Sequence, residues 1–122
     1  MALVVDMMRG GTSAGQARAI NGAVAPSVSA AGTVIGDATD LRATTNFVTT
    51  VGANSGVQLP SMIIGDSCVV YNSGANSLKV YPDASTVAIN QLSVAAAVSL
   101  PIETGMLFYK VASTQIVAFL SA

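Results

Sequence analysis

The chain has 122 residues, enough for one domain with a hydrophobic core and too few for two. Five Lys/Arg against six Asp/Glu give a net charge of −1, and only 9% of the residues are charged. This balance excludes binding to nucleic-acid phosphates through a basic face and attachment to a membrane by a polybasic segment.

Histidine, the commonest general base and metal ligand, is absent. The sequence therefore predicts no enzyme, no catalytic site, no metal and no cofactor. Although 52% of the residues are hydrophobic, the longest apolar stretch, residues 92–102, contains two serines and a proline, too broken for a membrane span. No positive charge precedes the first apolar residues, so we expect no secretory signal and synthesis in the cytoplasm.

Residues 1–42 are rich in Ala, Gly and Ser and carry six of the eleven charges. Residues 13–20 predict two turns of helix with Ser13 as N-cap, and residues 33–35 predict one short strand. Few large apolar side chains are available to support these elements. We predict that residues 1–42 form an extended arm whose order comes from a partner.

From residue 43 to residue 122 the pattern changes to short runs of β-branched and aromatic residues separated by turn signals. The predicted strands are residues 45–51, 56–60, 67–72, 77–82, 86–90, 97–101, 106–111 and 115–120. This spacing is typical of all-β domains. It predicts a compact antiparallel β-sandwich or barrel carrying the N-terminal arm.

Two pairs of these strands are predicted to form hairpins. Residues 67–72 and 77–82 flank a segment in which Gly74 and Asn76 can adopt the positive φ of a hairpin loop. Residues 106–111 and 115–120 flank the turn at residues 112–114.

Both faces of these strands are apolar. Cys68 and Val70 share one face, whereas Val69 and Tyr71 share the other. The sequence therefore predicts coverage by a second sheet on one side and by a neighbouring subunit on the other. With so few charges on the surface, we expect a homo-oligomer. The candidate interface residues are Tyr71, Tyr81, Phe108 and Tyr109.

The residues that could carry chemistry favour structural roles. Cys68 lies in an apolar strand without a neighbouring cation, which indicates a small buried hydrophobic residue. Lys79 and Lys110 are predicted to be solvated charges. Asp37 and Asp40 lack the dense run of oxygen ligands found in a cation loop, and turn or cap roles suit them as well.

Residues 56–90, GVQLPSMIIGDSCVVYNSGANSLKVYPDASTVAIN, resemble a β-module of structural proteins in tailed-bacteriophage virions. The likeness extends more loosely over residues 45–120. Two departures are Ile116, where the module often has an aromatic residue, and residues 83–85, where glycines are usual. The matching residues are Gly56, Leu59, Pro60, Gly65, Asp66, Val70, Asn72, Gly74, Leu78, Val80, Tyr81, Pro82, Ile89 and Asn90.

The resemblance implies a structural role in the virion. The first hypothesis is a capsid decoration (cement) protein on the outer head shell, bound to the major capsid protein and stabilising the head. Residues 43–122 would then form an oligomeric knob, with a trimer as the expected order. Residues 1–42 would lie across neighbouring shell subunits and contact them through Met7, Met8, Arg9 and Arg18. The alternative is a fibre or spike tip that binds a host glycan on Tyr71, Tyr81 or Tyr109.

Overall fold

The computed structural model describes residues 23–120, and over this range the chain is all-β, without a helix. The predicted all-β class is therefore confirmed. The strands are β1 Val24–Ser29, β2 Thr39–Asp40, β3 Thr45–Thr50, β4 Gly56–Gln58, β5 Ser67–Asn72, β6 Leu78–Tyr81, β7 Ala88–Ile89, β8 Val98–Leu100, β9 Thr104–Ala112 and β10 Gln115–Leu120.

The strands form two sheets, and from β1 to β8 the chain passes from one sheet to the other after every strand. The first sheet has six strands in the order β1-β3-β5-β9-β10-β7. The second has four, in the order β2-β4-β6-β8. In the first sheet β1, β3 and β5 are parallel neighbours, as are β2, β4 and β6 in the second.

This connectivity is a stacked, β-solenoid-like arrangement. Strands β1, β3 and β5 begin at residues 24, 45 and 67, so one coil of the chain takes about 21 residues. The C-terminal strands pair differently: β9 lies antiparallel to β5 and to β10, and β8 lies antiparallel to β6. The predicted sandwich or barrel of antiparallel hairpins is therefore wrong in its topology.

The first predicted hairpin is absent because β5 and β6 belong to different sheets. The buried side chain of Asn72 shapes the connection between them. Its amide donates to the carbonyl oxygens of Asn76 (2.9 Å) and Leu100 (3.0 Å), and its Oδ1 accepts the N–H of Gly74 (2.9 Å). A Cβ on Gly74 would lie 2.5 Å from Cγ2 of Val51, so this glycine permits close packing and does not supply a positive φ.

The second predicted hairpin is confirmed. Strands β9 and β10 pair antiparallel around the turn at residues 113–114, with Phe108 opposite Ala118 and Leu107 opposite Phe119. The register shifts once, between Gln115 and Ile116.

Part of the predicted arm belongs to the sheets. Strand β1 pairs with β3, β2 pairs with β4, and Leu41 is buried, so the boundary predicted near residue 42 falls inside the folded region. The strand predicted at residues 33–35 is instead a turn, in which Asp37 and Ala38 donate their N–H groups to the carbonyl of Val34. Gly32, at a φ of +74°, packs against the backbone of Asp37. Residues 1–22, including the predicted helix at 13–20, lie outside the described residues.

The core is one apolar cluster, formed by the facing sides of the two sheets and by residues of the connections between their strands. Phe108 is its largest fully buried side chain. Between residues 23 and 120 no helix exists that could cross a membrane. The buried members of the cluster are Leu41, Val48, Val51, Val57, Leu59, Met62, Cys68, Val70, Leu78, Val80, Val87, Ile89, Leu100, Met106, Phe108 and Ile116.

Candidate interaction surface

The outer side of the first sheet is apolar. Because side chains alternate along a strand, Met106 and Phe108 point into the core, whereas Leu107, Tyr109 and Val111 point outward and are exposed. The same alternation applies to β3 and β5, and the pairing of β10 with β9 places Val117 beside Tyr109 and Phe119 beside Leu107. We call the resulting surface the apolar face; it consists of Phe47, Val69, Tyr71, Leu107, Tyr109, Val111, Val117 and Phe119.

The strand register makes the apolar face continuous. Phe47 lies opposite Tyr71 on the neighbouring strand. In the next row Leu107 has Val69 on one side and Phe119 on the other. These cross-strand neighbours lie about 5 Å apart, within contact distance for side chains of this size. The eight residues therefore form one patch across four strands.

Phe47 and Tyr71 also contact each other through their rings, whose centroids are 5.7 Å apart and whose planes are tilted by 34°. At the margin of the face the Tyr71 hydroxyl donates to Oε2 of Glu103 (3.2 Å). Partial desolvation, followed by this contact with the carboxylate, raises the pKa of Tyr71 above its ordinary value. The phenol is therefore neutral over the physiological pH range.

The four strands that carry the apolar face contain a single charged residue, Lys110, and it points inward. Its side chain is 8% exposed, and its Nζ lies 2.8 Å from Oδ2 of Asp83, whose side chain is 4% exposed. The prediction of a solvated Lys110 is therefore wrong. Lys110 is the next inward-pointing residue of β9 after Phe108. A buried ammonium group at such a position needs an opposite charge beside it, because burial without one is strongly unfavourable.

Asp83 follows β6 of the second sheet, so its ion pair with Lys110 joins the two sheets. Asp83 Oδ2 also accepts the N–H of Met62 (3.1 Å). Removing one member of a buried pair leaves the other charge uncompensated, which is strongly destabilising. The pair thus serves the fold and removes a charge from the outer surface.

The outer side of the second sheet is polar by comparison. Gln58, Lys79 and Ser99 occupy outward positions on β4, β6 and β8. Lys79 is half-buried and, with Asn54 and Asn76, lines an open groove of about 420 Å³ on this side. The two outer surfaces of the molecule therefore differ sharply in character.

Two of the four predicted interface residues, Tyr71 and Tyr109, lie on the apolar face. Phe108 and Tyr81 do not: Phe108 is fully buried in the core, and Tyr81 is 6% exposed, with its hydroxyl donating to the carbonyl of Thr33 (2.8 Å). Their proposed interface role is wrong, because the chain itself covers them.

Sequence reasoning missed Phe47, Val111 and Phe119 as surface residues. The signal that could have found Val111 and Phe119 is the alternation within the second hairpin, which places them on the same side as Tyr109. Phe47 needed the parallel pairing of β3 with β5.

Two further sequence predictions concern the shell contacts and metal binding. Met7, Met8, Arg9 and Arg18 lie outside the described residues. Within residues 23–120, no cluster of three or more His, Cys, Asp or Glu side chains is placed to hold a metal ion.

Cys68 is a small buried side chain, as predicted. Burial raises the pKa of its thiol to about 12, and the amide of Asn46, which donates to Sγ at 3.4 Å, offsets this only in part. The folded chain therefore keeps the thiol proton at pH values where the unfolded chain, with an ordinary pKa of 9.0, loses it.

We expect this difference to destabilise the fold in alkali. The contribution of Cys68 is complete below pH 9 and declines as the pH rises toward 12, by about 1.4 kcal/mol per pH unit. Urea unfolding of the wild type and of Cys68→Ala at a series of pH values isolates this contribution. The stability difference between the two proteins should narrow between pH 9 and pH 11, and a constant difference would contradict a buried neutral thiol.

Comparison of the chain with protein families, with curated proteins and with solved structures finds no match.

Proposed function

We propose that this chain is a structural subunit of a tailed-phage particle, a capsid decoration protein that binds the outer head shell and stabilises it. The observation that carries the proposal is the apolar face. A patch of eight mainly large apolar residues without an ionised side chain is typical of a protein that works inside an assembly. The polar outer side of the second sheet suits a surface that stays in contact with water.

The residues that resemble the virion module support the same role, because their contacts in this chain are structural. Asp66 Oδ2 accepts the N–H of Ile63 (3.1 Å) in the turn where Gly65 has a φ of +97°. Asn72 and Gly74 shape the crossing between the sheets. Asn90 Oδ1 accepts the N–H of Ala118 (2.9 Å) and so holds the last strand. These side chains act on the backbone.

The proposed partners are the major capsid protein and further copies of this chain, with a trimer as the expected order. We assign attachment to the segment that precedes β1, which contains Met7, Met8, Arg9 and Arg18. Several copies held together would each contribute a weak contact, and their joint attachment raises the avidity without any strong single site.

The test is sedimentation of the purified protein with empty heads assembled from the major capsid protein of the same genome. We expect binding that survives an increase in salt from about 0.1 M to 1 M, although the Debye length falls from about 10 Å to 3 Å. Apolar contacts are not screened by salt. Binding should also change little between pH 5.5 and 8, because the chain has no histidine.

Failure to sediment with heads at either salt concentration would contradict the proposal. Release at moderate salt would contradict its apolar character and would indicate that Arg9, Arg18 and the exposed Arg42 anchor the chain on an acidic shell.

The glycan-binding alternative stays a prediction, but one of the three tyrosines predicted to bind the glycan is not accessible. Tyr81 is buried, which leaves Tyr71 and Tyr109 as possible platforms. A glycan array that gives a specific signal, lost in Tyr109→Ala, would favour the fibre-tip role over the decoration role.

A further inference from the structure

We propose that the apolar face of the first sheet is the surface through which this chain associates with further copies of itself. The inference deepens the proposed structural function and rests on it. It identifies which surface joins the copies, a question separate from how the protein attaches to a shell.

The size of the face agrees with this role. From the exposed fractions of its side chains, 58% for Phe119, 44% for Phe47 and 41% for Tyr109 among them, the face offers roughly 500 Å². Two copies in contact would bury about 1,000 Å² from these side chains alone, which is near the lower limit for a stable interface. Flanking loops would add to this area.

The charge pattern favours a second copy over an unrelated partner. In a symmetric contact the patch of one copy packs against the same patch of the next, so charges of a single sign on it would find no opposite charge across the interface. Because Lys110 points inward to Asp83, the four strands bring no ionised group to the face. A partner with a charged surface would lose hydration there without gaining an opposite charge. A second apolar face has no such cost.

Polar residues border the apolar face and limit the area over which a second copy can pack. Toward β1 the surface becomes polar, where the hydroxyl groups of Ser27 and Thr49 are hydrogen-bonded (3.1 Å). At another margin Glu103 accepts the Tyr71 hydroxyl. Around a twofold or threefold axis the apolar faces of neighbouring copies can pack against one another, with the side chains of one face fitting between those of the next. The polar margins would then form the rim.

The test is a charge placed at the centre of the face. Tyr109→Glu replaces an exposed, outward side chain, so the fold should persist while the interface would have to bury an unpaired carboxylate. The matched control is Ser99→Glu, which places the same charge on the exposed outer side of the second sheet. Light scattering during gel filtration, over about a hundredfold range of concentration, measures the mass of each protein.

We expect the wild type and Ser99→Glu to have the mass of two or three chains, and Tyr109→Glu to have the mass of one. Its association should weaken by about a hundredfold or more, a change of about 3 kcal/mol. Circular dichroism checks the fold, and Val111→Lys is the second variant if Tyr109→Glu is unfolded. A wild-type monomer at every concentration, or a Tyr109→Glu or folded Val111→Lys protein with the wild-type mass, would overturn the inference.

Sedimentation with heads separates this inference from the proposed function. An oligomer that Tyr109→Glu dissociates, but that never binds heads, would leave the interface in place and contradict the decoration role. A wild-type protein that binds heads but is monomeric in solution would support the decoration role and contradict the proposed interface.

Discussion

Deleting residues 1–20 should abolish binding to phage heads and leave the β-domain folded. Within residues 23–120 the cluster of buried apolar residues runs from Leu41 to Ile116, and the deletion leaves all of these residues in place. The first strand begins at Val24, beyond the deleted segment. The deleted segment contains the four predicted shell contacts, Met7, Met8, Arg9 and Arg18. We therefore expect sedimentation with heads to fall to background.

Controls must separate the loss of attachment from the loss of the fold or of the oligomer. Circular dichroism and the urea midpoint of the truncated chain should match those of the full chain. The number of chains in its oligomer should also be unchanged, because the apolar face begins at Phe47. A truncated protein that binds heads as tightly as the full chain would contradict the arm hypothesis and transfer attachment to residues 23–122.

The sequence predicted where most strands lie, because strand formation from residue 45 onward has local signals. Thr45–Thr50, Ser67–Asn72 and Gln115–Leu120 are rich in β-branched and aromatic residues, and each is a strand in the structure. Strand β1 was missed: its sequence, VAPSVS, contains a proline and few large side chains. Proline is tolerated there because β1 is the edge strand of the first sheet.

The pairing of the strands could not be predicted from such local signals. Parallel neighbours such as β3 and β5 begin 22 residues apart, and no repeated sequence marks that period. The segment around Gly74 has the composition of a hairpin loop, but Asn72 uses its side chain to turn the chain toward the other sheet. Composition identified a turn and could not specify its direction.

The interaction surface was predicted in part for a similar reason. Alternation within residues 106–111 places Lys110 on the same side as Phe108, which indicates burial, yet the general preference of lysine for water favoured exposure. Its partner, Asp83, lies 27 residues earlier in the chain. An ion pair between residues so far apart leaves no pattern in a single sequence. The structure was therefore needed to show that Lys110 points away from the apolar face.

Replacing Phe108 by alanine should cost the fold about 3–5 kcal/mol, because it is the largest of the fully buried side chains and its loss leaves a cavity between the two sheets. Leu107 precedes it on the same strand and points to the apolar face, 38% exposed. Leu107→Ala is therefore a matched control, which should change the stability of a single chain by less than about 1 kcal/mol.

The two substitutions are best compared in the Tyr109→Glu protein, because the stability of an oligomer depends on its concentration. Urea unfolding of the monomeric background, with and without each substitution, gives both free energies directly. In the wild-type background the two substitutions should have the reverse ranking in their effect on association. Leu107→Ala should weaken association, whereas Phe108→Ala should leave it largely intact as long as the chain is folded. A small stability cost for Phe108→Ala combined with loss of the oligomer would place Phe108 at the interface and contradict the assignment of the inner and outer sides of β9. That assignment determines which residues the chain buries in its own core and which it offers to another copy.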